Sequence, residues 1–265
     1  MHIEVVGSGP RIVLVHGSVT NGVLTWGAQR PLARSYTLAI VDRPGYPPNA
    51  PLERIDFEQQ ADEIRALLEP GDHLVGHSYG GVVTLLAAAE VRDRLASLTV
   101  LEPPCTRVAL DDPVVAEFAR AGADLYASGA RLDPETFLRT FLAAVGSDFD
   151  PPSPLPPALE QGARALAVER GPWEADIPLD ALRALGIPTL VVSGAHHAAF
   201  DAICDVLERE LDAERLVVRG HGHNPQLSPG FTHALLDFVG RAAATRRSVS
   251  GFESDANGPP PTRRA

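Results

Sequence analysis

The sequence predicts an α/β domain with a mostly parallel central sheet and helices on both faces. Three observations carry that expectation. Short apolar runs alternate with segments of helical period, as in strand–helix–strand units. Runs such as Ile12-Val13-Leu14-Val15 are apolar at every position, as strands buried on both faces must be. And Gly76-His77-Ser78-Tyr79-Gly80 joins an apolar run to an apolar helical segment through a turn too sharp for side chains at its flanks.

In chain order, strands are expected at residues 2–6, 11–15, 36–41, 73–76, 98–101, 189–193 and 215–218. The second ends in His16-Gly17-Ser18 and the fourth in the Gly76–Gly80 turn. The seventh, Arg215-Leu216-Val217-Val218, runs into Gly220-His221-Gly222-His223-Asn224-Pro225. Helices are expected at 57–68, 82–91, 200–211 and 231–243, where apolar residues recur three and four apart. Between residues 102 and 187 the alternation lapses into helix-like segments, such as 114–127 and 134–145, interrupted by the proline-rich stretch 150–157. Residues 1–104 and 187–243 are therefore expected to form the core, and 105–186 a helical insertion. Residues 244–265, which include Pro259-Pro260-Pro261 and lack apolar periodicity, are expected to be a disordered tail.

Composition narrows the chemistry. A chain of 265 residues can bury one large core, and a formal net charge of −11 argues against a nucleic-acid partner. There is no lysine, which excludes a Schiff-base lysine and a phosphate-loop lysine. Two cysteines, Cys105 and Cys204, make no disulfide framework. No apolar stretch approaches the roughly 20 residues that span a bilayer. The expectation is a cytoplasmic enzyme without cofactor or metal, acting on a small molecule, with no nucleic-acid or membrane partner.

With the His16-Gly17 loop, Asp42-Arg43-Pro44-Gly45, the Gly-x-Ser-x-Gly turn and the terminal Gly220-His221-Gly222-His223, the chain resembles the α/β-hydrolase superfamily over roughly residues 3–242, apart from the insertion. The resemblance implies Ser78 as nucleophile and His223, rather than His221, as general base. It implies an oxyanion hole from the backbone N–H of Tyr79 and of Ser18 or Val19, and a cap over the carboxyl edge of the sheet. His16 is expected to serve its loop structurally, and Asp42 and Arg43 to form an ion pair or loop anchor.

The acid departs from the common pattern. In the loop after the sixth expected strand, Ser193-Gly194-Ala195-His196-His197-Ala198-Ala199-Phe200-Asp201, a histidine stands where the aspartate is expected. Asp201 lies further on, at what looks like a helix amino end, where capping explains it equally well. Some relatives place the acid directly after the sixth strand of the family fold, and that position here is Glu102. A carboxylate is needed to orient and stabilise the imidazolium, and Glu102 is preferred with Asp201 as alternative. A metal site from His196, His197, His221 and His223 lacks the spacing of familiar zinc sites.

A serine at the turn is what esterases, lactonases, thioesterases and carbon–carbon hydrolases of this superfamily share. Hydrolysis of an ester, thioester or lactone through an acyl-enzyme is the expected activity. A lyase or a non-hydrolytic ligand-binding protein is the alternative, since the fold hosts both. Trp26, Tyr79, Phe118, Tyr126, Phe137 and Phe141 are candidate walls of an apolar acyl pocket.

Overall fold

The computed structural model describes residues 1–91, 94–129 and 131–255, with 245–255 described by backbone alone. Its centre is a seven-stranded sheet: β1 (His2–Gly7), β2 (Arg11–Val15), β3 (Thr37–Asp42), β4 (Asp72–His77), β5 (Leu95–Leu101), β6 (Thr189–Ser193) and β7 (Glu214–Val217). The spatial order is β1-β3-β2-β4-β5-β6-β7, with β1 antiparallel to β3 and every other pairing parallel.

The two-residue period of the strands divides the core. Val13, Val15, Val41, Leu74, Leu98 and Val100 face one layer of helices; Ile12, Leu14, Ile40, Val75, Leu101 and Val192 face the other. The first layer contains α2 (Phe57–Leu67), α3 (Tyr79–Ala89), α7 (Leu179–Ala184) and α8 (Ala198–Leu211). The second is built on α9 (Pro229–Asp255), which buries Phe231, Leu235, Phe238 and Val239. The short α1 (Gly22–Thr25) follows the loop after β2, with Asn21 capping it by accepting from Leu24 N–H.

Between β5 and β6 stand α4 (Pro113–Gly129), α5 (Pro134–Ala144) and α6 (Pro157–Ala167), ahead of α7. Two of these starts are written in the chain: Asp133 caps α5 by accepting from Thr136 N–H with Pro134 behind it, and Pro157 opens α6. The expected proline-rich break lies outside any helix as far as Pro156, and its last residue, Pro157, opens α6. Phe137, Leu138 and Leu142 of α5 pack with Ala163 and Leu166 of α6 and with Val19 of the core. α9 runs to Asp255, past the boundary at 244 expected for a disordered tail, because no proline interrupts it before Pro259. Residues 256–265 lie outside the described part.

The insertion is fastened to the core by a buried ion pair. Arg43 Nη2 lies 2.7 Å from Glu169 Oε1, with side-chain exposures of 1% and 0%. Tyr46 O–H donates to the same oxygen (2.8 Å) and Ser18 Oγ–H to Oε2 (2.5 Å). The guanidinium also donates to Gln60 Oε1 and to the Gly17 carbonyl, and sits 4.7 and 4.6 Å from the rings of Tyr46 and Tyr79. Arg43 is therefore paired, but not with Asp42. Asp42 accepts instead from Gly22 N–H (2.8 Å) and faces His2 Nδ1 (2.7 Å).

Glu169→Gln leaves the Arg43 guanidinium buried without its counter-charge. Breaking such a pair from one side costs about 3–5 kcal/mol. The expected outcome is a lower urea midpoint at unchanged slope; an unaltered midpoint would show that the pair carries none of the stability.

Candidate active site

Parallel register brings four loops to one edge. Val15 pairs with Gly76, His77 with Leu101 and Leu101 with Val192, so the residues after β2, β4, β5 and β6 emerge side by side. Ser78 ends β4 at φ +52°, ψ −124°, a conformation the surroundings must impose on a residue with a side chain. A Cβ on Gly76 would stand 2.3 Å from Thr84 Oγ1, and one on Gly80 2.3 Å from the His16 carbonyl oxygen. Only glycine fits at either place.

Ser78, His223 and Glu102 are brought into one hydrogen-bonded run. His223 Nε2 lies 2.8 Å from Ser78 Oγ, and His223 Nδ1 2.7 Å from Glu102 Oε2. A carboxylate can only accept, so Nδ1 carries the proton and Nε2 is left free to accept from the serine. All three side chains are buried, Glu102 completely. Burial alone would raise the Glu102 carboxyl. Hydrogen bonds from His196 and His223, the charge of His223 and the Gly194 N–H (2.5 Å to Oε1) outweigh it and hold the group down at about 2.

Asp201 is not part of this run. Its carboxylate accepts from Ser193 Oγ (2.7 Å) and faces Arg215 Nη2 at 3.7 Å. Nor does it cap α8: His197 does, with Nδ1 accepting from Ala199 N–H at 3.2 Å. Asp201 comes one turn too late, on the helix rather than in the loop.

The Ser18–Val19 segment is a tight γ-turn. Thr20 N–H donates to the Ser18 carbonyl (2.9 Å) across Val19, whose φ of +76° is rare for a β-branched residue. Two contacts hold it there. Ser18 Oγ is bonded to Glu169, and the Val19 carbonyl oxygen lies against α6 where a Cβ on Gly162 would be only 1.8 Å away. Among the described residues, the backbone N–H groups of Ser18, Val19 and Tyr79 have no protein acceptor. The Tyr79 N–H is the first free donor of α3.

Three histidines support the loops. His16 Nδ1–H donates to the Gly17 carbonyl (2.6 Å) and Nε2 accepts from Arg43 N–H (2.9 Å). His77 Nε2–H donates to the His223 carbonyl (2.7 Å); burial lowers His77 to about 3, so it stays neutral and pins the backbone of His223. His196 Nε2 lies 2.9 Å from the Val145 carbonyl. Of the metal grouping considered from sequence, His197 Nδ1 caps α8, His196 Nε2 faces the Val145 carbonyl and His223 lies between Ser78 and Glu102. Glu102, His196 and His223 do place donor atoms within 4.8 Å of one another, as a hydrogen-bonded cluster.

Ser78 and Ser18 line two cavities. The larger, about 510 Å³, is walled by Val114, Phe118, Tyr126, Phe141, Trp173 and Phe200 with Tyr79. The smaller, about 180 Å³, lies on the side of His223, Thr25, Asn224 and Leu227. Of the aromatic residues expected as walls, Trp26 and Phe137 are instead packed in the second helical layer and the insertion's own core. Glu169 and Gly162 were not singled out from sequence, and His196 was weighed there only as a metal ligand. Gly162 alone left a sign, since a glycine inside a helix costs about 1 kcal/mol against alanine and asks for a packing reason.

Residues 12–235 match the model of the Alpha/beta hydrolase family. The chain is 31% identical over 261 residues to the pimeloyl-[acyl-carrier protein] methyl ester esterase of Aeromonas hydrophila subsp. hydrophila, covering 90% of this chain and 98% of that protein. It is 34% identical over 264 residues to the enzyme of the same name from Aeromonas salmonicida, at the same coverages. A structure from work on carboxylesterases of Nitrososphaera gargenis superposes with a TM-score of 0.71 over 92% of this chain and 95% of that one, at 15% identity, a likeness of fold. Among the described residues no helix is long and apolar enough to cross a membrane.

Because the Glu102 carboxyl is depressed in the folded state, its contribution to stability is complete above the unfolded carboxyl range near about 4.3 and is lost as pH falls toward 2. Urea unfolding of wild type and Glu102→Gln between pH 6 and pH 2.5 is expected to show the wild type losing ground to the variant across that window. Parallel curves would mean Glu102 is not held ionised by its neighbours.

Proposed function

The chain belongs to the alpha/beta hydrolase family, and from that premise we propose that it is an esterase, cleaving small carboxylic esters with an apolar acyl group through an acyl-enzyme on Ser78. The observation that carries this reading is the run Ser78–His223–Glu102 on the wall of a 510 Å³ apolar cavity. The esterase names of the relatives support an ester as the bond cleaved. Thioester and lactone carbonyls would meet the same groups.

His223 Nε2 takes the Ser78 proton as Oγ attacks the carbonyl carbon, and Glu102 stabilises the imidazolium that forms. The oxyanion is received by the Tyr79 N–H and by the Ser18–Val19 turn, whose donors are fixed before substrate arrives. The imidazolium passes its proton to the leaving alcohol oxygen. A water, deprotonated by His223, then attacks the acyl-enzyme; Ser78 regains its proton and the carboxylic acid departs. The large cavity takes the acyl group and the smaller one the alcohol. The helices α4–α6 serve as a cap over the carboxyl edge. A lyase or ligand-binding protein of this fold would keep the same run of residues, and it is the esterase names of the relatives that favour hydrolysis over that alternative.

The test is hydrolysis of p-nitrophenyl acetate and butyrate. Ser78→Ala, His223→Ala and Glu102→Gln are each expected to lose roughly 10³–10⁴-fold or more in kcat/KM, while Asp201→Asn keeps wild-type turnover. A wild type inert toward both esters sinks the esterase reading; an inactive Asp201→Asn beside an active Glu102→Gln reverses the acid.

Gly162→Ala is compatible with helix geometry yet drives a methyl group into the Val19 carbonyl, so it should spare folding and displace the oxyanion turn. A loss of about 100-fold, mainly in kcat, is expected; full activity would mean that α6 does not position the turn.

A further inference from the structure

Glu102 is approached by two histidines, and the mechanism uses only one. His223 Nδ1 takes Oε2; on the other side His196 Nδ1 lies 3.3 Å from Oε1, which also accepts from Gly194 N–H. The second nitrogen of His196 decides what the first must be. Nε2 is 2.9 Å from the Val145 carbonyl oxygen, and a carbonyl can only accept, so Nε2 carries a hydrogen. In the neutral ring, Nδ1 would then turn a bare lone pair toward a buried carboxylate, with no other described partner. A second proton on Nδ1 turns that repulsion into an ion pair.

We propose that His196 is a positioning residue that is an imidazolium in the resting enzyme, so that Glu102 is shared between a charged histidine on the insertion side and the base His223 on the other. The proposal rests on the roles given above to Ser78, His223 and Glu102. The charge state agrees with the surroundings. Burial works against protonation of His196, and the hydrogen bond and charge of Glu102 outweigh it, so that its pKa is raised. Its neighbour His197, lowered by burial and by the charge of His196, stays neutral and caps α8. The charged and titratable groups around His196 are Glu102, His223, His197 and, on α8, Asp201. Across the contact with the insertion stands Asp148, whose Oδ2 is 3.4 Å from where a Gly222 Cβ would be.

The ring centroids of His196 and His223 are 5.8 Å apart, so a charge on one opposes a charge on the other. His196 and His223 therefore compete for the one carboxylate. The Nε2 bond to Val145 makes this depend on α5. Val145 lines both cavities, so the insertion must be seated for His196 to hold both its protons.

His196→Gln keeps an amide donor for the Val145 carbonyl and removes the charge. The acidic limb of kcat/KM for p-nitrophenyl butyrate is expected to move up by about one pH unit in this variant, with circular dichroism unchanged. A structural role alone would lower activity without moving the limb. An unmoved limb in a folded variant overturns the proposal. Independently of activity and of any variant, ¹⁵N spectra of histidine-labelled wild type, assigned through the backbone, are expected to show both His196 ring nitrogens protonated at pH 7. One protonated and one bare nitrogen overturns it too. If wild type does not cleave the ester, the esterase reading fails, and the spectrum still decides the state of His196.

Discussion

The buried pair between Arg43 and Glu169 is the interaction on which the site's geometry depends. Its two charges come from segments 126 residues apart, one just beyond β3 and one just beyond α6 of the insertion. Taking both out of water is expensive, and such pairs add little net stability over apolar replacements. Their use here is directional. Arg43 spends its donors on Glu169, Gln60 and Gly17, and Glu169 spends its acceptors on Arg43, Tyr46 and Ser18. The loop after β2 and the root of the insertion are thereby set at one distance and one angle.

That placement is what lets a strained loop persist. Val19, Ser78, Glu102 and Ala195 all have positive φ without being glycine, and all lie in the loops at the carboxyl edge. Each costs of order 1–3 kcal/mol and survives only where the surroundings over-determine it. Val19 is held by the Ser18–Glu169 bond and by the contact with α6 at Gly162. Ser78 is held by Gly76 and Gly80, whose neighbours leave no room for a Cβ. Glu102 is held by its N–H bond to the Val192 carbonyl (2.9 Å) and by the Gly194 N–H and His223 Nδ1–H on its carboxylate. Strain and binding chemistry thus occupy the same residues, with the fixing contacts supplied from layers further out.

The same division explains what was legible in the sequence. The sheet was legible because its strands are apolar without interruption, and the turn at Ser78 because glycines at fixed spacing encode it. Strand ends shifted by one to three residues, since apolar runs do not mark where pairing stops. α6 was missed because its start is a run of prolines and its middle a glycine, and α7 because six residues are too few to show a period. Ser78 and His223 announce themselves by local context. Glu102 could only be preferred over Asp201, because the choice turns on the register that sets β5 beside β6. The partners of Arg43 and His196 left no local trace: each contact joins residues whose approach is decided by tertiary packing alone.

In the function proposed above Glu102 serves as the acid, and its placement there follows from these constraints. In the loop after β6, His196 Nδ1 faces Glu102 Oε1 at 3.3 Å. With Glu102 supplying the charge from the end of β5, the longer side chain spans the gap, and a carboxylate with about four lone-pair sites has acceptor capacity left over once His223 is served. Gly194 N–H takes part of it, at a residue where a Cβ would stand 2.0 Å from the Gly222 carbonyl, so the β6 loop and the loop of His223 touch directly. The rest faces His196, whose other nitrogen meets the C-terminal end of α5. Moving the acid one strand over therefore does more than replace a missing aspartate. It brings the insertion, through Val145 and His196, into contact with the charge that orients the base.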